Sequence, residues 1–217
     1  INMSEDKIFP QKGWLLAFHP TLLCGTSLDE HIDRYTFLFY QLNESLHLSL
    51  REKTKAIECI CNIEQELKHA IDCHSKTLIS RYIELLLDYC SRFYERQFVT
   101  REVVNRDLLT NFERILQQYF DSEKTSTIGL PSVQYCAEQM HLSPNYFGDL
   151  VKRETGKSAQ EYIQLAIMER VKELLAESNK TISEIAYELG FKYPHHLSRI
   201  FKKVIGITPN EYRLQVV

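Results

Sequence analysis

Ala186-Tyr-Glu-Leu-Gly-Phe191, Lys192-Tyr-Pro-His-His-Leu197-Ser-Arg199-Ile200-Phe-Lys202-Lys203-Val-Ile-Gly206 and Ile207-Thr-Pro-Asn-Glu211-Tyr212 decide the fold, because the chain carries this pattern twice. The other copy reads Val133-Gln-Tyr-Cys-Ala137-Glu-Gln-Met140-His-Leu142, then Ser143-Pro-Asn-Tyr-Phe147-Gly-Asp-Leu150-Val-Lys152-Arg-Glu-Thr-Gly156, then Lys157-Ser-Ala-Gln-Glu161-Tyr162. Ala137 matches Ala186 and Leu142 matches Phe191 at a spacing of 49. Leu150 and Ile200, Lys152 and Lys202, Gly156 and Gly206, and Tyr162 and Tyr212 match at 50, so one residue is inserted at the second turn. Self-similarity at a fixed period marks a repeated supersecondary unit.

Each copy meets the needs of a helix-turn-helix. A small residue, Ala137 or Ala186, lets two helices cross closely. A tight turn follows at His141-Leu142-Ser143 or Gly190-Phe191-Lys192. The second helix then buries one stripe, Phe147, Leu150 and Val151 in one copy and Leu197, Ile200, Phe201 and Val204 in the other, and leaves its polar face free. Ser143-Pro144 reads as an N-cap followed by Pro at the first helical position. Ser158…Glu161, Thr181…Glu184 and Thr208…Glu211 read as capping boxes. Gly156, Gly190 and Gly206 stand where helices stop or turn. Between the copies one amphipathic helix is expected over about 158–177, with Tyr162, Ile163, Ala166, Ile167, Val171, Leu174 and Leu175 on its apolar side. At 1.5 Å per residue it spans ~30 Å, close to the ~34 Å of one duplex turn. A rod of that length can set two helices into successive major grooves.

Composition bounds the rest. The 217 residues are 44% hydrophobic and 25% charged, with only 7 Gly and 6 Pro, which disfavours turn-rich β architecture. The net charge of −3 does not announce a nucleic-acid binder, but residues 128–217 carry 11 Lys+Arg against 10 Asp+Glu, and residues 192–203 contain no acid. Such a local basic patch can be an electrostatic footprint, although a solvated basic face is the commoner meaning. No run approaches a membrane span and no signal peptide is evident. The six cysteines form no paired framework and read as reduced thiols of a cytoplasmic protein. Cys59-Ile-Cys61 with Cys73 and His74 has the wrong spacing for a closed zinc site, and the adjacent His195 and His196 point apart on a helix, so no metal and no cofactor is expected. No nucleophile elbow, P-loop or catalytic carboxylate pair is present, so no catalysis is expected either.

Upstream, residues 8–19, including Trp14-Leu-Leu-Ala-Phe-His19, read as a strand, and Leu28 to Tyr40 as a short helix. Three helices follow. The first carries Ala56, Ile57, Ile60, Ile63 and Leu67. The second, from about 76 to 97, carries Leu78, Ile79, Tyr82, Ile83, Leu86, Cys90 and Phe93 near a 3.5-residue step. The third, from about 101 to 120, carries Val104, Leu108, Phe112, Ile115, Leu116 and Tyr119. The fold class is therefore mainly α: an N-terminal helical dimerisation region with a short strand remnant, then two helix-turn-helix units joined by a long helix. The expected boundaries are 1–48, 49–121, a polar linker at 122–130, and 131–217.

The quoted stretches resemble the signature of AraC/XylS transcription regulators, over about residues 128–214. The resemblance implies a sequence-specific regulator binding double-stranded DNA, with RNA polymerase and a small-molecule effector as further partners. By position it puts the base-reading surface on Asn145, Gly148 and Asp149 in the first unit and on Pro194, His195, His196 and Arg199 in the second. Lys152, Arg153, Lys202 and Lys203 are natural phosphate contacts, with Lys192 and Tyr193 beside them. Gly148 offers no side chain. Asp149 is repelled by phosphate; it can accept from cytosine N4 or pair with Lys152 or Arg153. The second unit is therefore expected to carry more of the affinity. Family members usually place a β-barrel sensor upstream. There is no room for one before residue 49, so residues 1–48 read as a remnant of a trimmed sensor or as a different short module, in keeping with a chain that begins at Ile1. Helices 51–70 and 76–97 are expected to form a homodimer contact, with intramolecular packing against helix 101–120 as the alternative. A DNA-repair methyltransferase with a similar domain is the alternative, disfavoured by the missing cluster of four cysteines.

Overall fold

The computed structural model describes residues 13–177 and 179–216. Helix dominates and no strand occurs among the described residues. The chain divides into two compact units, residues 13–35 with 46–97, and residues 36–45 with 98–216.

The first unit holds α1 (Ser27–His31), α2 (Leu50–Lys68) and α3 (Ser75–Thr100) up to Gln97; the last residues of α3, from Phe98, belong to the second unit. Ser49 and Glu52 cap α2 reciprocally. Arg96 Nε lies 2.7 Å from Glu52 Oε1, and Ser75 Oγ donates to Glu66 Oε1 at 2.7 Å, so α2 and α3 run antiparallel. Ile79, Ile83, Leu86 and Phe93 are buried on α3, and Cys59 and Ile63 on α2. Part of the seam predicted on these helices is thus closed within the unit, while Leu67 and Leu78 stay exposed. Burial, and then the nearby Cys59, push the Cys90 thiol up to about 11. The preceding segment runs along α3: Ser27 Oγ donates to Glu84 (2.9 Å), Tyr35 Oη to Asp88 (2.8 Å) and Lys76 Nζ to the Cys24 carbonyl (2.7 Å).

Two expectations fail here. Residues 13–19 have no regular secondary structure, and Leu15 is 91% exposed. A strand needs a partner for its backbone groups, and none lies among the described residues; residues 8–12 of the predicted strand fall outside them. Leu28–Tyr40 is not one helix. α1 stops at His31, short 3₁₀ turns follow at Ile32–Arg34 and Thr36–Phe39, and Tyr35 between them (φ −87°, ψ 68°) leaves the helical region.

The second unit contains α4 (Glu102–Phe120), α5 (Lys124–Thr127), α6 (Val133–Gln139), α7 (Pro144–Thr155), α8 (Ala159–Glu177), α9 (Ile182–Glu188), α10 (Pro194–Ile205) and α11 (Pro209–Val216). α6 with α7 and α9 with α10 are the two predicted heads, both packed on α8. Most of the predicted stripes lie inside: Phe147, Leu150, Val151, Leu197 and Phe201 are all 0% exposed, while Ile200 and Val204 are half-buried. The α8 stripe buries Ile163, Ile167, Val171 and Leu175. Every predicted cap forms. Ser143 Oγ accepts from the Tyr146 N–H at 3.2 Å, and Ser158, Thr181 and Thr208 pair with Glu161, Glu184 and Glu211. The backbone N–H groups of Thr181 and Thr208 hold the carboxyls of Glu184 and Glu211 below the usual range. Gly156 (φ 72°) and Gly206 (φ 93°) end α7 and α10 in the left-handed conformation that a residue without Cβ adopts freely. Arg213 of α11 donates to the Leu175 carbonyl in the last turn of α8, an acceptor that a helix terminus leaves open, and to the Lys180 carbonyl in the loop that follows.

The boundaries differ from the expected 49–121 and 122–130. α4 belongs with the heads: Phe112, 0% exposed, sets its ring 4.9 Å from Phe147 and 5.3 Å from Tyr162. Residues 122–130 are packed rather than loose. Thr125 is buried, and Tyr119 Oη donates to the Gly129 carbonyl at 2.8 Å. An apolar stripe has to be covered by something, and the α4 stripe finds its cover on the heads.

Candidate nucleic-acid interface

α10 begins at Pro194, whose fixed φ suits the first helical position. Its N-cap, Tyr193, makes no side-chain cap bond; Pro194 has no N–H to satisfy, and the His196 N–H donates to the Tyr193 carbonyl at 3.0 Å. His195, Arg199 and Lys202 follow at i, i+4 and i+7, and His196, Arg199 and Lys203 at i, i+3 and i+7, so both rows lie on one face. All five are exposed, as are Lys192 and Tyr193. The Tyr193 ring stacks on His195 at 5.5 Å, and His195 meets His196 edge-on at 4.7 Å. Among the described residues, no ion pair within 4 Å ties up Lys192, Arg199, Lys202 or Lys203. The opposite face is held by Leu197 and Phe201, the latter 5.6 Å from the Tyr212 ring. The side chains expected on the second helix-turn-helix are therefore brought together on one exposed, cationic helix face, which suits phosphate and base-edge contacts.

The first head looks different. Asn145, Lys152 and Arg153 are exposed, and the Arg153 guanidinium sits 5.9 Å above the Phe98 ring. Gly148 is half-buried. Asp149 is engaged: Thr36 Oγ1 donates to its Oδ2 at 2.6 Å, and Tyr40 Oη donates to the same oxygen at 2.7 Å. It pairs with neither Lys152 nor Arg153 among the described residues. Residues 36–45 thus lie on α7, and nothing read from the sequence anticipated them. One signal was available: the 50-residue register sets Tyr146 against His196, a large aromatic where the sister helix presents a polar group, and such a change points to a covered face.

No helix among the described residues is long and apolar enough to cross a membrane. Residues 136–215 match the family model of a helix-turn-helix domain. The chain is similar to the HTH-type transcriptional regulator YtdP of Bacillus subtilis (strain 168), with 33% identity over 110 residues, 51% of this chain and 13% of YtdP. It is similar to the HTH-type transcriptional regulator YfiF of the same organism, with 26% identity over 184 residues, 85% of this chain and 55% of YfiF. Among solved structures, the C-terminal domain of AraT, a response regulator from Geobacillus stearothermophilus, aligns with 29% identity and a TM-score of 0.43 over 50% of this chain and 84% of that domain. The chain therefore spans about half of YfiF's length and a far smaller part of YtdP's.

Proposed function

We propose that this protein, whose residues 136–215 form a helix-turn-helix domain of the AraC type, is a sequence-specific transcription regulator acting on double-stranded DNA. The observation that carries this reading is the α10 face: Tyr193, His195, His196, Arg199, Lys202 and Lys203 exposed together, without ion-pair partners among the described residues, on a helix held from behind by Leu197 and Phe201. In the groove, Arg199 and the His pair read base edges while Lys202 and Lys203 neutralise phosphates. The 19-residue α8 is ~28 Å long at 1.5 Å per residue, a separation suited to two heads on one duplex turn apart.

Selection of bound duplexes from a random DNA pool tests the reading. A defined consensus is expected, and Arg199→Ala is expected to weaken binding to it by ~1–3 kcal/mol, as loss of one bidentate guanine contact does. Retention of no duplex above background removes the function; unchanged affinity in the variant removes only the role of Arg199.

A cytoplasmic regulator without catalysis, responding to a small molecule through upstream residues and working with RNA polymerase, is the reading that fits such a domain. A homodimer through helices 51–70 and 76–97 fits as well, using the part of their apolar seam that stays exposed. Leu78 and Leu85, seven residues apart on α3, remain 41% and 43% exposed, with Leu67 exposed in the last turn of α2 and Ile71 in the loop after it. Light scattering of the intact protein is expected to give twice the chain mass, and a monomer at high concentration refutes the dimer.

A further inference from the structure

We infer that residues 36–45 occupy the recognition face of the first head and so set how many grooves the protein reads. This inference rests on the DNA-binding reading above.

The internal repeat supplies the comparison. At the 50-residue register that pairs Leu150 with Ile200, Tyr146 corresponds to His196 and Asp149 to Arg199. On α10 these positions are exposed and form the centre of the cationic face. On α7 they are covered. Tyr146 is 5% exposed, its ring edge-on to Tyr40 at 5.1 Å and tilted against Phe98 at 5.1 Å. Asp149 accepts from the hydroxyls of Thr36 and Tyr40. The cover reaches the turn of the head as well. Glu44, 2% exposed, accepts from the Ser143 N–H and from its hydroxyl, both at 2.6 Å, at the residue that caps α7. A carboxylate at a helix N-terminus is favourably placed against the helix dipole, so the segment is anchored at the end of α7 that a groove-reading helix presents first.

Groove insertion and this cover exclude each other. A helix with its side chains is ~10–12 Å across, and the major groove is ~12 Å wide, which leaves no space for a second segment over the leading face. The cover also sets the Glu44 carboxylate at the Ser143 end of α7, and a carboxylate there opposes the phosphate backbone. With residues 36–45 docked, α10 reads one sub-site and α7 stays out of its groove. Undocking frees Tyr146 and Asp149 beside the already exposed Asn145, and the second sub-site becomes readable one turn away. The segment is joined at both ends, through Tyr35 and Leu46, to residues of the other compact unit. A rearrangement in that unit therefore pulls on the cover through the chain itself.

The test uses the full chain and its Thr36→Val/Tyr40→Phe/Glu44→Gln variant, which removes the donors to Asp149 and the charge at Ser143 without touching α7 or α10. Hydroxyl-radical footprints and affinities are measured on duplexes carrying one or two sub-sites from the selected pool. The unaltered protein is expected to protect about one helical turn, ~10 base pairs, with less than about twofold gain from a second sub-site. The variant is expected to protect about two turns and to bind the two-site duplex at least ~10-fold more tightly, since a tethered second head adds avidity. Its affinity for the one-site duplex is expected to stay unchanged, which also reports that it is folded. If the triple variant unfolds by circular dichroism, the isosteric Thr36→Val/Tyr40→Phe pair takes its place, with the same footprint change expected at smaller amplitude. Two protected turns in the unaltered protein, or one in a folded variant that still binds the one-site duplex, overturns the inference and leaves DNA binding standing. Failure of both proteins to protect any duplex overturns both.

Discussion

Replacing Gly190 by Ala tests how the second head is mounted. Gly190 lies in the turn between α9 and α10 at φ 87°, and a Cβ built there meets the Thr125 carbonyl oxygen at 2.4 Å and two backbone atoms of Gly129 at 2.6 and 2.7 Å. The left-handed conformation alone costs a residue with a Cβ ~1–2 kcal/mol. The sister turn shows that this part is tolerable, because His141 holds φ 56° with its Cβ in place. The contact is the larger matter. Backbone atoms at 2.4 Å must withdraw by about 1 Å to reach ordinary separation, and the segment that must move carries the Gly129 carbonyl bonded to Tyr119 Oη. Leaving that buried hydroxyl unpaired adds ~1–3 kcal/mol, for a total of ~2–5 kcal/mol. In a chain of 217 residues each kcal/mol lowers the midpoint by ~2–4 °C, so a drop of about 5–15 °C is expected in thermal unfolding followed by circular dichroism. His141→Gly serves as the control, with a change within ~1 kcal/mol. A Gly190→Ala protein less than ~1 kcal/mol destabilised would refute the argument that residues 125–129 are clamped beneath the second head.

The thiols divide sharply. Cys24 and Cys73 are exposed, whereas burial raises Cys59, pushes Cys90 up to about 11 and Cys136 up to about 12. A raised pKa keeps these groups as thiols until the pH nears those values, so at pH 8 alkylation mapped by mass spectrometry should label Cys24 and Cys73 rapidly and Cys59, Cys90 and Cys136 only on unfolding; rapid native labelling of Cys136 would contradict its burial. Lys203→Ala should weaken binding to all duplexes alike and reduce the salt slope of log K by ~1, as loss of one phosphate contact does; a change confined to the selected sequence would instead make Lys203 a base reader.

What was legible from residue order and what was not divide by the range of the interaction. The caps at Ser143, Ser158, Thr181 and Thr208 join residues three apart, and the chain writes such bonds locally. The repeat was legible because two copies of one unit must satisfy the same packing needs, so Ala137 and Ala186, or Gly156 and Gly206, return at a fixed spacing. The same reasoning placed Arg199, Lys202 and Lys203 on one helix face, since helical geometry alone decides that. Tertiary structure decided the rest. Glu44 meets Ser143 across 99 residues and Tyr40 meets Asp149 across 109, and no local preference encodes such a meeting. A short polar-aromatic segment such as Thr36–Ser45 carries no periodicity to say which surface it will cover. The α4 stripe could be read as apolar but not as belonging to Phe147 and Tyr162 rather than to α2 and α3. An amphipathic helix specifies that it must be buried; only the competition among all available surfaces specifies against what.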